Sequence, residues 1–329
     1  MNSLLVQNIA DQIRRADHIL LLTDERIDGD TIGSTLGLFH VLTLMGKRVD
    51  VFSPKPLPHT FAYLPNVNVI RRDFEVLKQP SLDLAIICDS SDGAYLPPIL
   101  KMMTHKVALI SFDHHLTNPN YGTTNIVEPD AASTADVVWR FVKAAKLPMS
   151  PDAAQCFLTG ITTDTQVFFS QNTTAAALEA SAELINLGAN LDAIVRANFM
   201  NKSTASLKLW GLALERLFID DSFGGIATVI LEKDIAAYGV TSEDIEGISN
   251  FLNAMLDETH DVVVVYRETD DGAVRGSVRG RTKDVAAIAE RLYGGGGHKL
   301  AAGFKVQHAR MVQENGVWKI VKTNEGLQT

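Results

Sequence analysis

Residues 19–34 read ILLLTDERIDGDTIGS, and this stretch decides the fold that we expect for the first half of the chain. The apolar run Ile19–Leu22 leads into an acidic, glycine-containing segment. A helical pattern then begins near Gly33 and ends around Met45-Gly46. A short buried strand that leads through a loop into a helix is a βα unit. The sequence therefore begins as an α/β protein.

Three later runs extend this unit into a sheet. The second and the third show no alternation of apolar and polar residues, which is typical of parallel strands covered on both faces. Helical patterns then dominate from Ser133 to about Phe218, with a start signal at Ser150-Pro151 and a stop signal at Gly188. The apolar runs lie at residues 49–52, 84–88 and 107–110.

The strand pattern restarts in the last third of the chain. Apolar runs occupy residues 226–230 and 262–266, and a glycine-rich stretch follows at residues 294–297. We therefore predict an α/β protein of three parts. These are an N-terminal parallel-sheet domain at residues 1–190, a helical connector at 191–220 and a smaller C-terminal α/β domain at 221–329.

Composition narrows the class of protein. A chain of 329 residues is long enough for two compact cores, and its two cysteines, Cys88 and Cys156, suit a reducing compartment. The N-terminal segment is an amphipathic helix rather than a signal peptide, and no apolar stretch approaches the roughly 18 residues of a membrane span. We expect a soluble, cytoplasmic protein without a membrane partner. The formal charge of −9 disfavours binding to long duplex DNA, but it is compatible with binding of a short phosphorylated ligand.

Acidic residues follow three of the predicted parallel strands. Asp28 and Asp30 follow the first strand, and Asp89 and the triplet Asp113-His114-His115 follow two later ones. The carboxyl ends of parallel strands lie at one edge of a sheet, so these groups should converge. Carboxylates held close together raise one another's pKa unless a cation neutralises them. Oxygen and imidazole ligands without thiolates indicate Mn²⁺ or Mg²⁺.

Each of these clusters also has an ordinary structural explanation. An Asp-Gly-Asp sequence is often only a turn, and a lone aspartate after a strand, such as Asp89, is commonly a helix cap. A histidine doublet is often incidental, but Asp113 supplies the acid that usually orients a ligand histidine. The clusters favour a metal site more strongly together than any one of them does alone.

The glycine-rich stretch and a nearby strand offer contacts for phosphate. The backbone of residues 294–297 can approach an anion closely, with His298 beside it, although such a run can also be only a flexible turn. In residues 274–281, alternation places three arginines and a serine on one face, where the arginines would clamp phosphate. A solvated edge strand is the structural alternative. The four residues are Arg275, Ser277, Arg279 and Arg281.

Four motifs, in this order, resemble those of the DHH phosphoesterase family. The last one resembles the C-terminal domain associated with that family, and the match spans most of the chain. The nanoRNase/pAp phosphatase subgroup is the most similar. The motifs are Asp28-Gly29-Asp30 with Ile32-Gly33-Ser34, Asp113-His114-His115, Gly160-Ile161-Thr162-Thr163-Asp164-Thr165, and Gly294 to His298 with Ala301-Ala302-Gly303-Phe304.

The resemblance implies a centre of two divalent ions, preferably Mn²⁺, with Mg²⁺ as the alternative. Asp89 would bridge both ions, and a water shared by them would be acidic enough to supply hydroxide as the nucleophile. His115 would face the substrate phosphate, and Asp113 would orient the histidine pair. Asp28 would bind one ion, and Asp30, His114 and Asp164 would bind the other.

One position departs from the family pattern. A histidine usually stands four residues before the first aspartate of the first motif, and this chain has Asp24 there. Asp24 can still bind a metal ion, as a harder oxygen donor with one more negative charge. Alternatively, it shifts the metal preference, weakens the catalytic ion or marks a chain with reduced activity.

In the second domain, the resemblance implies a grip on the far end of a short nucleotide. Arg279 and His298 are the strongest candidates, because Ser277-Val278-Arg279 aligns with a Ser-x-Arg pattern of the family. The predicted substrate contacts are Arg275, Ser277, Arg279, Gly295, Gly296, Gly297 and His298, with His115 from the first domain.

The resemblance favours hydrolysis of very short single-stranded oligonucleotides to mononucleotides. Removal of a phosphate from 3′-phosphoadenosine 5′-phosphate (pAp) would be a second activity. A RecJ-like exonuclease shares the metal centre, but the net charge and modest aromatic content disfavour it. A pyrophosphatase is less favoured still, because of the glycine-rich signature. Because Asp24 replaces the usual histidine, a protein that binds nucleotides without hydrolysing them is a further alternative. The sequence is also compatible with a homodimer.

Overall fold

The computed structural model describes residues 1–25, 27–91, 93–170, 172–245, 247–255, 259–314 and 316–323, without the side chains of Ser242, Glu243 and His298. The chain divides into two compact units, Met1–Asn201 and Lys202–Thr329. No helix within the described ranges is long and apolar enough to span a membrane.

The first unit alternates strands and helices and then ends in helices, as the sequence predicts. In chain order its elements are α1 (Ser3–Arg15), β1 (His18–Leu22), α2 (Gly29–Leu44), β2 (Arg48–Phe52), β3 (Ile70–Arg71), β4 (Leu84–Cys88), α3 (Leu96–Lys101), β5 (Ala108–Asp113), β6 (Thr124–Val127), α4 (Thr134–Ala144), α5 (Pro151–Asp164), α6 (Ala175–Asn186) and α7 (Leu191–Asn198).

The six strands form one sheet in the order β3-β2-β1-β4-β5-β6, and all of its strand pairs are parallel. Every residue of β1 and of β4 is buried. Apolar residues of α1, α2, α4 and α5 pack on one face of the sheet, and those of α3 and of residues 74–78 pack on the other. The predicted parallel sheet, covered on both faces, is confirmed.

Helix α2 begins at Gly29, four residues earlier than the sequence pattern predicts. Asp28 caps this helix, because its carboxylate accepts hydrogen bonds from the backbone N–H groups of Asp30 and Thr31, each at 3.0 Å. The prediction began at the apolar periodicity and therefore missed that the acidic loop supplies its own cap. As a result, Asp30 lies in the first turn of α2 rather than in a loop.

Helices α2 and α5 approach closely because glycines face each other. A Cβ atom on Gly33 would lie 2.6 Å from the backbone oxygen of Cys156 and 2.7 Å from the backbone nitrogen of Gly160. A Cβ atom on Gly160 would lie 2.8 Å from a carboxylate oxygen of Asp30. Side chains at these two positions would push the helices apart. The glycines thus let Asp30 approach Asp164, the last residue of α5.

The helix-boundary signals of the sequence are confirmed. The Ser133 hydroxyl accepts a hydrogen bond from the backbone N–H of Asp136 at 3.1 Å and caps α4. Ser150 caps α5 in the same way, directly before Pro151. Gly188 follows the end of α6 with a φ of +107°, a conformation that favours glycine.

The second unit contains a mixed sheet and a hairpin. Its elements are α8 (Thr204–Glu215), β7 (Phe218–Asp220), β8 (Gly225–Ile230), α9 (Glu232–Tyr238), α10 (Ser242–Ile245), α11 (Ile248–Met255), β9 (Val262–Thr269), β10 (Ala273–Gly280), α12 (Val285–Tyr293), β11 (Gly296–His298), β12 (Ala301–Val306), β13 (Ala309–Glu314) and β14 (Val317–Lys322). The sheet order is β11-β12-β10-β9-β8-β7, and β13 pairs with β14. Apolar residues of α8, α10 and α11 pack against β8 and β9, and a second core joins β8, β9, β10 and β12 to α12 and β13.

The segment 191–220 is divided between the two units, in contrast to the predicted separate connector. Ile194 of α7 is buried in the core of the first unit. Leu209 and Ala213 of α8 pack in the second unit, and β7 is an edge strand of its sheet. Periodicity along the chain shows that these helices have apolar faces, but it does not show which core covers them. The division falls between Asn201 and Lys202.

Candidate metal centre

Asp30 is held by the amino terminus of α4. Its two carboxylate oxygens accept hydrogen bonds from the backbone N–H groups of Thr134, at 2.6 Å, and Ala135, at 2.8 Å. These N–H groups have no partner within their own helix, and the helix dipole favours a negative charge at this end. The first turns of α2 and α4 thereby fix the Asp30 carboxylate, which is buried.

Asp89 directly follows β4 and is also buried. One of its carboxylate oxygens accepts a hydrogen bond from the Thr31 hydroxyl at 2.6 Å, and the other accepts one from the Thr134 hydroxyl at 3.0 Å. Its backbone has a φ of +60°, the left-handed region that is uncommon for residues other than glycine. Such strain is retained at functional sites when the surroundings hold it in place, as these two hydroxyls do here.

Asp113 ends β5 and organises the histidine doublet. One of its carboxylate oxygens accepts hydrogen bonds from the backbone N–H groups of His114, at 2.7 Å, and His115, at 3.0 Å, and lies 2.8 Å from Nδ1 of His115. The other oxygen accepts a hydrogen bond from the Asn118 side chain at 2.6 Å. Asp113 therefore orients the ring of His115 directly, and it fixes only the backbone of His114.

The ring of His114 points its Nε2 atom toward three carboxylates. Nε2 lies 3.6 Å from Asp164, 3.8 Å from Asp89 and 3.9 Å from Asp30. Its Nδ1 atom lies 3.3 Å from the backbone oxygen of Ala131, which can only accept a hydrogen bond. We therefore assign the proton to Nδ1, which leaves the lone pair of Nε2 directed at the acidic cluster. Burial, and then the charge of His115, lower the pKa of His114 and favour this neutral form.

The carboxylates of the cluster are costly to charge together. Burial raises the pKa of Asp30 well above the ordinary carboxyl value, and the charges of Asp89 and Asp164 raise it further. Burial also raises the pKa of Asp89, and it raises that of Asp164 strongly, with the charges of Asp28 and Asp89 adding to the effect. Without a cation the cluster therefore favours partial protonation, and a divalent ion would remove that tendency.

His115 has the opposite electrostatics from His114. Burial opposes its charge, but the hydrogen bond to Asp113 and the negative charges of Asp89 and Asp113 raise its pKa to about 9. The same contacts, with that of Asn118, outweigh burial and lower the pKa of Asp113. His115 is therefore a cation near neutral pH, held by an ionised aspartate.

In the described structure, two sets of side chains could each hold a metal ion, because the ligand atoms within each set all lie within 4.8 Å of one another. The structure thus brings together five of the sequence-predicted residues. It places neither Asp24 nor Asp28 in such a set. Asp28 is exposed and caps α2, although desolvation and then the charge of Asp89 raise its pKa. Asp24 accepts a hydrogen bond from the Ser90 hydroxyl at 3.0 Å. The two sets are Asp89 with His114 and His115, and Asp30 with His114 and Asp164.

Sequence reasoning missed the residues that hold this cluster in place. Thr31 stands in the acidic stretch without a predicted role of its own, and Asn118 lies outside the predicted motifs. Thr31 follows Asp30 directly, and Thr134 follows the cap residue Ser133, so both stand at helix starts where hydroxyls are common. That frequent and ordinary role concealed their contacts with Asp89.

The predicted phosphate contacts of the second unit are only partly assembled. Arg275, Ser277 and Arg279 line one cavity of about 750 Å³. Arg281 lies one residue beyond the end of β10 and is not among the lining residues; its guanidinium donates to the backbone oxygen of Asn253 in α11. The side chain of His298 lies outside the described residues.

The glycine-rich stretch is not the open loop that the sequence indicates. Gly296 and Gly297 belong to the edge strand β11, and Gly294 caps α12 with a φ of +64°. A Cβ atom would lie 2.3 Å from the backbone oxygen of Gly303 if placed on Gly295, and 2.5 Å from that of Ala301 if placed on Gly297. Gly295 and Gly297 therefore allow close packing of the chain on β12, whereas Gly294 and Gly296 have open space around them.

Two family domains match the chain, in the order of the motifs. The N-terminal domain of the DHH family matches residues 18–161, and the DHHA1 domain matches residues 226–316. The predicted resemblance is therefore confirmed.

Curated proteins that are similar to this chain include two of the same name. The bifunctional oligoribonuclease and PAP phosphatase NrnA of Thermus thermophilus is 29% identical over 286 residues, which cover 87% of this chain and 83% of the relative. The protein of that name from Bacillus subtilis is 24% identical over 294 residues, which cover 88% and 90%. A crystal structure of an exopolyphosphatase-related protein from Bacteroides fragilis aligns with a TM-score of 0.83 at 23% identity, over 92% of this chain and 91% of that one, and shares the fold.

Proposed function

This chain belongs to the DHH family of phosphoesterases and carries a DHHA1 domain, and on that premise we propose that it hydrolyses very short single-stranded oligonucleotides to mononucleotides. As a member of this family it is a hydrolase that acts on phosphoester bonds. The substrate class follows the names of its relatives, and removal of a phosphate from pAp is the second activity that we propose.

The observation that carries the proposal is the cluster of Asp30, Asp89, His114 and Asp164. Three carboxylates whose pKa values are raised, with the lone pair of a neutral imidazole directed at them, form a donor set suited to a divalent cation of the Mn²⁺ or Mg²⁺ type. We assign these four residues to one ion, preferably Mn²⁺. Asp89, with Asp28 and Asp24, would hold a second.

The other residues position the site and bind phosphate. When bound, the ions would supply an acidic water as nucleophile and would neutralise charge on the phosphate. Thr31 and Thr134 hold Asp89 through their hydroxyls. Asp113 holds His115 as a cation, and an imidazolium can donate a charge-assisted hydrogen bond to a phosphate oxygen.

The test is release of mononucleotide from a labelled dinucleotide, with Mn²⁺ and with Mg²⁺. We expect Asp89→Ala to abolish release, since it removes a carboxylate from the centre of the cluster. Asp152→Ala is the matched control, because Asp152 is exposed in the first turn of α5, at the opposite end of that helix from Asp164. Full activity of Asp89→Ala would contradict the assigned centre, and equal rates on long single strands would favour a RecJ-like exonuclease.

Nucleotide binding without turnover is the second candidate, and the placement of Asp24 outside both ligand sets motivates it. Calorimetry and product analysis on the same sample separate the two. Binding of the dinucleotide without product under saturating Mn²⁺ would favour the second candidate over the first.

A further inference from the structure

The cavity in the second unit is markedly basic for an acidic protein. None of its described lining residues is acidic, and four carry a positive charge, whereas the chain as a whole has a formal charge of −9. Its volume of about 750 Å³ lies within the range of ligand sites. The four cationic residues are Arg267, Arg275, Arg279 and Lys305.

Three of these cations stand side by side across three strands. Arg275 of β10 is paired directly with Arg267 of β9 and with Lys305 of β12. Directly paired residues share a face of the sheet, and like charges there destabilise it. Asp271 forms an ion pair with Lys305 at 2.5 Å, whereas Arg275, in the middle of the row, has no ion pair in the described part of the chain. This middle position is open to an anion.

Arg279 lies at the other end of the same face. It is four residues from Arg275, roughly 13 Å along a strand at 3.3–3.4 Å per residue, which is too far for one phosphate to reach both side chains comfortably. Its Nε atom donates to the side-chain oxygen of Asn250 at 2.6 Å, and Nη1 donates to the backbone oxygen of Val278 at 3.0 Å. These bonds fix the plane of the guanidinium, and the Nη2 donors stay available for a ligand.

We propose that this cavity holds two separate phosphates, one at Arg279 and one at the row centred on Arg275. The inference rests on the proposed function, which supplies the cavity with a nucleotide ligand. A nucleoside 5′-monophosphate brings one phosphate to this cavity, and a 5′-phosphorylated dinucleotide brings two. Arg275 is accordingly the residue that makes the affinity depend on chain length, with Asn250 as the positioning residue for Arg279.

The test compares equilibrium binding of the two nucleotides by calorimetry, in EDTA so that no hydrolysis occurs. We expect the dinucleotide to bind about tenfold more tightly than the monophosphate to the unaltered chain, as one added charge-assisted contact allows. In Arg275→Gln the ratio of the two affinities should fall to about one. In Arg279→Gln both affinities should fall and the ratio should persist. Arg310→Gln, which removes an exposed arginine of β13, is the control for a general loss of charge.

Three outcomes would overturn the second phosphate position. In the first, the unaltered chain binds both nucleotides with equal affinity. In the second, Arg275→Gln lowers the affinity for both nucleotides by the same factor. In the third, the chain binds neither nucleotide. The proposed function is tested separately, by product release with Mn²⁺. A chain that binds with the expected ratio but releases no product contradicts the function alone. A chain that releases product from the dinucleotide, but binds the two nucleotides with equal affinity in EDTA, contradicts the second position alone.

Discussion

Replacing Thr31 by valine tests how the buried acids of the metal centre are held. The Thr31 side chain is 1% exposed and Asp89 is 5% exposed, and the hydroxyl of one donates to the carboxylate of the other at 2.6 Å. Valine keeps the branched shape and nearly the same volume. The substitution therefore removes the hydrogen bond to Asp89, together with the contact of the Thr31 side chain with Asp28, and changes little in the packing of α2.

The size of the effect follows from the charge of the acceptor. A hydrogen bond to a charged group contributes about 1.5–3 kcal/mol, and its loss leaves a buried carboxylate oxygen without a donor. At 1.4 kcal/mol for each factor of ten, this corresponds to an affinity for Mn²⁺ lowered about tenfold to a hundredfold. The loss arises because Asp89 is no longer held in the orientation that its strained backbone presents.

Thr35→Val is the matched control, one turn further along the same helix. Its side chain is fully buried, and its hydroxyl has no hydrogen-bond partner in the described structure. We expect this variant to bind Mn²⁺ as the unaltered chain does and to be more stable by about 1–3 kcal/mol, because valine removes a buried hydroxyl that lacks a partner among the described residues. Calorimetric titration with Mn²⁺ measures both variants. Equal affinities for Thr31→Val and Thr35→Val would refute the role of the hydroxyl.

Three further substitutions or conditions test other parts of the first unit and one helix of the second. Asp24→Ala should lower kcat about tenfold or more, as expected for a residue that supports a metal ion. The first Mn²⁺ should bind with unchanged affinity, because Asp24 lies outside both ligand sets. An unchanged kcat would show that Asp24 does not belong to the site. Gly33→Ala should cost about 3 kcal/mol or more in urea unfolding, because its Cβ would lie 2.6 Å from backbone, whereas Gly211→Ala in α8, with open space around it, should gain about 0.5–1 kcal/mol. The metal-free protein should melt at a lower temperature as the pH rises from 6.5 to about 9. The charge of His115 stabilises the fold below the ordinary histidine pKa of 6.5, and this stabilisation is lost as the pH passes the folded pKa of about 9. Acids whose pKa is raised in the folded state, such as Asp30, lower the stability in the same direction as the pH rises above their ordinary pKa of 3.8. A melting temperature that rises over this range would contradict the assigned charges.

The fold was predictable wherever the physical cause lies in the local sequence. The strands β1 and β4 are continuous apolar runs because both faces of the sheet are covered, so burial itself is visible in the composition of the run. The start of α2 was predicted four residues too late because an acidic loop gives no apolar periodicity, although Asp28 caps the helix. The assignment of α7 and α8 to different units depends on which distant core covers each of them, and nothing local to segment 191–220 records that.

The candidate site divides in the same way. Convergence of the acidic clusters followed from the rule that parallel strands end at one edge, and the contact of Asp113 with His115 spans only two residues. Thr134, in contrast, donates a hydrogen bond to both Asp30 and Asp89, and it lies 104 residues from the first and 45 from the second along the chain. A helix start that donates its backbone N–H to one acid and its side-chain hydroxyl to another cannot be distinguished, in sequence alone, from any other capped helix.

The two histidines show most clearly how position decides chemistry. His114 and His115 are adjacent and of the same residue type, so the sequence alone does not show which of them binds a metal ion. Burial, and then the charge of His115, lower the pKa of His114, whose Nδ1 atom has only a backbone oxygen beside it in the described structure. Burial also opposes the charge of His115, but the Asp113 carboxylate beside its Nδ1 atom overcomes burial and raises the pKa to about 9. A neutral imidazole can bind a cation and an imidazolium can bind an anion. A single carboxylate contact therefore separates the chemistry open to two adjacent histidines.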